Sequence, residues 1–249
     1  MSEQQIAPSP FWHATGVLAE RYMSVIVADF GATLLWLMQA PLIGACIALA
    51  WQEGVQGSRR INFVLAFASI LFGCINAFRE VIKERPIFLR EQRLGVPVSA
   101  YLLSKLMVLA LVGFVQCLAL TLIVDSQVPS YKLSQAPLMI LLFAGSLAGT
   151  SLGLLVSCFV RSQEGAVALL PVVLLPQLIF SEAVLGSTAN RPEEIELMLP
   201  VAWVYKGLQE LWESNWHFSS VLTSLIMLAV LSAVFMFAAW FVLSLAAEE

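Results

Sequence analysis

The chain has 249 residues, carries a formal net charge of −4, and is 12% charged and 59% hydrophobic. Soluble domains average about 25% charged residues, so this composition excludes an ordinary soluble domain, and the negative net charge gives no support to nucleic-acid binding. Apolar runs of about 18 residues or more recur along the chain, which is typical of membrane-spanning helices. We therefore predict an all-α polytopic membrane protein with a single transmembrane domain over residues 1–249.

The N-terminal region differs in character from the apolar runs that follow it. The first 13 residues, MSEQQIAPSPFWH, show no basic segment followed by an apolar core, so we predict no cleavable signal peptide. Residues 10–30 are amphipathic and include Glu20, Arg21 and Asp29. This pattern predicts an interfacial helix that lies along the membrane before the first span. A plain N-terminal extension is the alternative.

Six apolar runs follow, each near the ~20 residues that cross a bilayer core as a helix. They are continuous rather than alternating, which argues against membrane strands. The predicted spans cover residues 32–51, 60–78, 101–124, 136–160, 165–181 and 220–245.

The polar segment between the last two spans, residues 182–219, contains three tryptophans, Trp203, Trp212 and Trp216. Tryptophan is enriched at the boundary between membrane and water. We therefore predict that this segment is extracytoplasmic or re-entrant and forms short helices before the last span.

The distribution of basic residues predicts the orientation. With a cytoplasmic N-terminus, the inner side would hold eight of the 13 Lys and Arg residues and the outer side five. Basic residues concentrate on the cytoplasmic side of membrane proteins, so we predict cytoplasmic N- and C-termini. Arg59 and Arg60 fall on the predicted outer side, and the sequence offers no physical reason for their position.

Signals for catalysis and metal binding are weak. The run GTSLG at 149–153 matches the G-x-S-x-G pattern, which needs a histidine base. Ser151 lies within a predicted span, whereas His13 and His217 lie outside every span. The four cysteines are far apart within apolar runs, which favours packing over metal ligation. No G-x-x-x-x-G-K-[ST] phosphate loop occurs, so we predict no catalytic residue, metal site or ATP site in this chain.

Glycines follow a helical repeat in the fourth span. Gly145, Gly149 and Gly153 recur every four residues and therefore share one helix face. Small residues on one face let another membrane helix approach closely. We predict that these glycines mediate helix packing and that the fourth span lies inside the bundle.

Prolines interrupt two of the spans, the first at Pro41 and the fifth at Pro171 and Pro176. Gln39 and Gln177 lie beside these positions, and polar side chains at membrane depth usually face the bundle interior. Two interpretations stay open: hydrogen bonds between helices, and the lining of a substrate path by all five residues.

The densest charge lies between the second and third spans, where residues 78–105 hold nine charged side chains of both signs. Their spacing suits a helix with pairs such as Glu80 with Lys83, ending at a turn around Gly95. A lipid-anchoring loop would be mostly Lys and Arg, whereas mixed signs suit docking to a protein surface. A solvated loop is the alternative.

The segment ERPIFLREQRLGVPVSAYLLSK resembles the region after the second span in type-2 ABC transporter permeases, especially the G-subfamily (White-type) half-transporters and their bacterial relatives. Those proteins carry E-x-x-[IV]-F-x-R-E, a turn, and Y-x-L-[SA]-K. The runs LWLMQAPLIGACIALAW, LLPVVLLPQLIFS and LPVAWVYKGLQEL resemble their first span, their fifth span and the segment before the sixth. The matching residues of the charged segment are Glu84, Ile87, Phe88, Arg90, Glu91, Tyr101, Leu103, Ser104 and Lys105.

The resemblance implies a permease of six helices preceded by a connecting helix, residues 10–30. Residues 79–100 would form a cytoplasmic coupling region that docks a separate nucleotide-binding ATPase subunit, and that partner alone would bind ATP and Mg. The family works as dimers, which implies a homodimer or a heterodimer with a sister permease. The expected coupling residues are Glu80, Glu84, Arg85, Phe88, Arg90, Glu91, Gly95, Tyr101 and Lys105.

We therefore expect the permease subunit of an ABC exporter in a bacterial inner membrane, surrounded by lipid. Its substrate would be hydrophobic, amphipathic or lipid-linked. A non-transporting membrane scaffold or assembly factor, which would recruit a soluble partner through the same charged segment, is the alternative.

Overall fold

Ten helices make up the part of the chain that the computed structural model describes, residues 11–51, 58–128, 134–181, 193–212 and 217–248. These ranges contain no strand, so the prediction of an all-α protein is confirmed. The prediction that there is no cleavable signal peptide rested on the first 13 residues, and residues 1–10 lie outside the described ranges. The helices are α1 (Phe11–Ala28), α2 (Phe30–Ala50), α3 (Ser58–Ala77), α4 (Glu80–Arg93), α5 (Val98–Gln127), α6 (Gln135–Phe159), α7 (Gln163–Ile179), α8 (Glu193–Leu197), α9 (Pro200–Trp212) and α10 (Phe218–Glu248).

Five stretches of the described ranges are long and apolar enough to cross a membrane, and they agree with five of the six predicted spans. The stretch from Arg59 continues through α4, but its apolar part is α3. The predicted span 165–181 corresponds to α7, whose 17 residues fall short of the usual ~20; a crossing by α7 stays a prediction. The five stretches are Thr33–Ala50, Arg59–Arg93, Val98–Gln127, Gln135–Phe159 and Phe218–Ala246.

Helix α1 precedes the first span and packs along α5. Its buried residues Leu18, Tyr22 and Ile26 are four apart and therefore share one face. Asp29 separates α1 from α2, yet the Thr33 hydroxyl donates to the Ile26 carbonyl at 2.6 Å across this break. Residues 11–28 are thus a helix tied to the bundle, and its place at the membrane surface stays a prediction.

The predicted segment 182–219 is described only at residues 193–212 and 217–219, which include α8 and α9. Helix α9 packs against α3, α6 and α10, and its buried side chains include Val201, Val204 and Leu208. This part of the segment therefore belongs to the bundle core. Trp216 lies outside the described residues, and the extracytoplasmic location stays a prediction.

Helices α3 and α6 form the most extensive helix pair of the described chain. All three glycines of the predicted repeat face α3: a Cβ at Gly153 would lie 2.7 Å from the Cys74 carbonyl oxygen, and one at Gly149 would collide with the Ile70 carbonyl. A Cβ at Gly145 would lie 2.6 Å from the Ser69 hydroxyl. These distances support the proposed packing role, because only a residue without a side chain admits such close approach.

A separate hydrophobic cluster joins α1 and α4 to the bundle. It contains Leu18 and Tyr22 of α1, Val81 and Phe88 of α4, and Tyr101 of α5. The burial of these side chains positions the charged segment at one end of α5, next to α1.

We predict that Gly149→Ala lowers the free energy of unfolding by about 1–3 kcal/mol, because the added methyl group overpacks the contact with Ile70. The matched control is Gly31→Ala, where nothing lies within 4 Å of the added carbon and alanine favours the helix. Thermal midpoints measured by fluorescence-detected size-exclusion chromatography in detergent compare the two. Equal midpoints would contradict the close packing of α3 on α6.

Candidate functional site

The start of α4 is set by another helix. Arg79, the residue before α4, provides no side-chain cap. Instead the Ser157 hydroxyl oxygen of α6 accepts hydrogen bonds from the backbone amides of Val81 at 3.0 Å and Ile82 at 3.3 Å. Amides in the first turn of a helix have no partner within the helix, so Ser157 satisfies two of them and fixes α4 to α6.

The end of α4 is set by Gly95, one of the predicted coupling residues. Its φ of +89° is left-handed, a conformation that glycine adopts without strain. The Gly95 amide donates to the Gln92 carbonyl at 2.8 Å and the Val96 amide to the Glu91 carbonyl at 3.2 Å, the pairing of a Schellman helix end. Gly95 therefore ends α4 and returns the chain to α5 at Val98.

One face of α4 turns its acidic residues toward α1 and α5. Glu84 Oε1 lies 2.7 Å from Lys105 Nζ of α5, and Glu84 Oε2 lies 3.8 Å from Arg21 Nη2 of α1. Arg21 also forms an ion pair with Glu91, about two turns further along α4. We call the following six residues the charged cluster: Arg21, Tyr22, Glu80, Glu84, Glu91 and Lys105.

Tyr22 connects the remaining members of the charged cluster. Its hydroxyl donates to Glu80 Oε2 at 2.6 Å, and Lys105 Nζ lies 3.4 Å from the centre of its ring, which is cation–π geometry. Burial, reinforced by the Glu80 carboxylate, raises the pKa of Tyr22 well above its ordinary value. The hydroxyl therefore stays protonated at neutral pH and keeps donating to Glu80.

The charged cluster matters for stability because its side chains are largely buried. The side chain of Lys105 is only 1% exposed, and a buried charge without a partner is strongly destabilising. Phe88 and Tyr101 add a ring contact of 4.5 Å between centroids, and the Arg85 guanidinium donates to the Val160 carbonyl at 3.3 Å. These contacts fix α4 to α1, α5 and the end of α6.

The opposite face of α4 is open. Arg90 and Arg93 are exposed, as are Ile87 at 42% and Leu94 at 77%. Lys83 lies between the two faces, 2.8 Å from Glu80 in the predicted i,i+3 pair. The structure thus divides the predicted coupling residues: Glu80, Glu84, Phe88, Glu91, Tyr101 and Lys105 face inward, Arg85 binds α6, and Arg90 and Gly95 are exposed.

The predicted substrate-path residues lie on two different helices. Gln39 and Pro41 are on α2, and Pro171, Pro176 and Gln177 are on α7. The side-chain oxygens of Gln39 and Gln177 are buried and have no hydrogen-bond partner among the described residues. No hydrogen bond within those residues joins the two glutamines, and their role in a substrate path stays a prediction.

Sequence reasoning missed a chain of buried amides. Asn76 of α3 donates to Gln116 of α5 at 2.6 Å, and Gln116 donates to the Trp36 carbonyl of α2 at the same distance. Such bonds connect membrane helices. The signal was present, since Asn76 and Gln116 both lie within predicted spans and polar residues are rare there.

The apolar helices long enough to cross a bilayer define an integral membrane protein. The model of the ABC-2 family transporter protein matches residues 52–241, and the chain therefore belongs to this family. It is also 26% identical over 206 residues to the "ABC transporter ATP-binding/permease protein Rv1747" of Mycobacterium tuberculosis. That match covers 75% of this chain but only 24% of the relative, so the chain spans about a quarter of that protein's length.

Membership identifies this chain as a transmembrane permease component of an ABC transporter rather than the ATPase itself. The resemblance to ABC permeases is thus confirmed, while the closeness to the G-subfamily stays a prediction.

We predict that Lys105→Met destabilises the protein by about 3 kcal/mol, because it leaves Glu84 without its closest cation in a largely buried setting. The control is Lys206→Met. Lys206 forms an ion pair with Glu196, but its side chain is 41% exposed, so this substitution should lower the free energy of unfolding by at most about 1 kcal/mol. Thermal midpoints of the purified variants test the difference. A Lys105→Met protein as stable as the control would show that the charged cluster does not hold α4.

We predict that Ser157→Ala loosens the start of α4 at a cost of about 1 kcal/mol, the usual effect of losing a helix cap. Hydrogen–deuterium exchange of peptides covering residues 79–93 should be faster, because two amides lose their acceptor. Ser151→Ala is the matched control, since among the described residues this buried serine of α6 donates to the Leu147 carbonyl of its own helix. Unchanged exchange in Ser157→Ala would contradict the capping role.

Proposed function

We propose that this chain is the permease subunit of an ABC exporter, and that a separate ATPase subunit docks on residues 79–100. The observation that carries the proposal is the division of α4 into two faces. One face is ion-paired to α1 and α5, and the other exposes Arg90, Arg93 and Leu94. A helix held firmly from one side and open on the other suits the transfer of force from a bound partner.

The exposed face also suits a protein partner by its chemistry. Arg is enriched at the cores of protein interfaces, and the exposed Ile87 and Leu94 add apolar area beside Arg90 and Arg93. The acids of the segment are turned inward, so the face offered to a partner is basic and apolar. We therefore expect the docking surface of the ATPase to carry acidic side chains around an apolar groove.

ATP binding to the ATPase subunit would drive transport by stabilising one conformation of the permease relative to another. Because α4 is fixed to α1 and α5 by the charged cluster and to α6 by Ser157, movement of α4 would displace these helices as one body. Helix α1 would then act as the connecting helix. This arrangement makes Arg21 and Tyr22 part of the coupling machinery in addition to the predicted residues.

The substrate proposed is hydrophobic, amphipathic or lipid-linked, with Gln39, Pro41, Pro171, Pro176 and Gln177 along its path. The support is the buried, unpartnered side-chain oxygens of Gln39 and Gln177 among the described residues, which could serve a passing polar group. Membership in a transporter family favours transport over a scaffold role.

We further propose a bacterial inner-membrane protein with cytoplasmic termini, acting as a homodimer or with a sister permease. The basic exposed face of α4 supports a cytoplasmic location for this end of the bundle, since basic residues concentrate on that side. The name of the mycobacterial relative describes it as both an ATP-binding and a permease protein, which supports a functional association of a permease such as this chain with an ATPase.

The test is affinity purification of the tagged chain from its native membrane in mild detergent, followed by mass spectrometry of co-purified proteins. We expect a stoichiometric subunit with a G-x-x-x-x-G-K-[ST] loop. The double variant Arg90→Glu, Arg93→Glu should reduce its recovery about tenfold through charge repulsion at the interface, while the stability of the permease is unchanged.

The matched control is Arg60→Glu, which reverses an exposed charge at the start of α3 and should leave recovery as in the wild type. Absence of any ATPase after chemical crosslinking would overturn the transporter complex. An ATPase that is recovered equally with all variants would overturn only the assignment of the docking face.

A further inference from the structure

A cavity of about 330 Å³ lies between α9 and the start of α10, away from the charged cluster. Gly207 of α9 packs beside Leu141 near the start of α6, whereas α4 is fixed to Ser157 near the end of that helix. The cavity therefore lies at the other end of the bundle. A water molecule occupies about 30 Å³ of liquid, so the space exceeds what a single ion or ammonium group fills.

The positive charge on the cavity wall is already balanced. Lys206 Nζ lies 3.2 Å from Glu196 Oε1 and 5.0 Å from the centre of the Trp203 ring. The Trp203 indole also donates to the Leu197 carbonyl at 3.0 Å, which fixes the ring at the wall. Lys206 is the only cation among the described residues that line the cavity, so an anionic guest has no unpaired cation to bind.

Three other groups of the cavity wall have no partner. The Glu210 carboxylate and the hydroxyls of Ser220 and Ser224 form no hydrogen bond or ion pair with another described residue. Ser224 is only 3% exposed, and a buried hydroxyl without a partner is unfavourable. Buried polar groups in native proteins almost always have a partner. The Ser224 hydroxyl therefore marks a place for a guest that forms hydrogen bonds.

Close packing of α9 against α10 fixes the geometry of these groups. A Cβ at Gly207 would lie 3.3 Å from the Ser224 Cβ and 2.8 Å from the Leu141 Cδ2, so the glycine allows a close approach of the helices. Glu210 lies about one turn further along α9, and Ser220 about one turn before Ser224 on α10. Polar groups that converge from two packed helices on one cavity are typical of a ligand site.

We propose that this cavity binds a neutral polyhydroxylated group, of which a sugar ring is the common example. Its hydroxyls would donate to the Glu210 carboxylate and would exchange hydrogen bonds with Ser220 and Ser224, because hydroxyl groups both donate and accept. The C–H face of the ring would pack against Trp203, whose indole offers a broad apolar surface. A free sugar and the sugar headgroup of a lipid share this chemistry.

The test is saturation-transfer NMR on the purified full chain in a polyoxyethylene detergent, which carries no sugar. The probes are the methyl glycosides of glucose, galactose and mannose, and their octyl counterparts. We expect saturation transfer to the ring of at least one sugar, strongest at the C–H protons that pack against Trp203. Binding of a methyl glycoside would identify a free sugar as sufficient, whereas binding of the octyl form alone would identify a lipid headgroup.

Glu210→Gln keeps the shape of the cavity and removes its unpaired charge. We expect the variant to bind the sugar about tenfold more weakly, because hydrogen bonds to a carboxylate are stronger than those to a neutral amide. The control is Glu194→Gln, which changes an exposed acid of α8 that does not line the cavity and should leave binding as in the wild type.

Ser224→Ala separates ligand binding from folding. Loss of an unpartnered buried hydroxyl should leave the thermal midpoint unchanged or higher, whereas sugar binding should weaken about tenfold. Ser232→Ala is the matched control, because this buried serine of α10 donates to the Leu228 carbonyl of its own helix and does not line the cavity.

Saturation transfer to none of the glycosides would overturn the inference. Unchanged binding in both Glu210→Gln and Ser224→Ala would also contradict it, and displacement of the sugar by ethanolamine would show a site for an ammonium group instead. Binding is measured without ATP or a partner subunit, so these outcomes are independent of the proposed docking of an ATPase.

Discussion

Lys105 lies near the start of a 30-residue, mostly apolar helix, and its side chain is almost completely buried. A charge in that environment is tolerated only with a partner close by, and Glu84 of α4 is that partner at 2.7 Å. Because Arg21 of α1 shares Glu84 and also pairs with Glu91, the contact of the buried lysine links α5, α4 and α1. Together with the Ser157 cap and the buried Phe88, this contact orients α4 and leaves Arg90 and Arg93 exposed.

The charged cluster also explains why a strongly apolar protein holds so many charges in one segment. The charges do two different jobs. Those on the inner face, such as Glu84 and Glu91, hold the helix to α1 and α5, whereas those on the outer face, Arg90 and Arg93, are left for a partner.

Much of the site could be predicted from local spacing, because the i,i+3 pair of Glu80 with Lys83 and the helix end at Gly95 depend on neighbours in sequence. The partners on α1 could not be predicted in this way. Arg21 and Glu91 are 70 residues apart. The acids Glu80, Glu84 and Glu91 share one face of α4, but local spacing does not show which other helix that face contacts. The Ser157 cap of α4 could not be predicted for the same reason, because the serine lies on a different helix from the amides whose hydrogen bonds it accepts.

The sequence by itself showed that this is a membrane protein and gave the approximate limits of its helices. Length and continuous hydrophobicity are local properties, and a bilayer core requires every backbone group to be paired within the helix. The four-residue repeat of Gly145, Gly149 and Gly153 likewise marked the face that α3 contacts. Only the tertiary structure decided which charges are buried and which are exposed. Ion pairs between helices form by through-space proximity, and the low dielectric of the packed interior makes that proximity decisive.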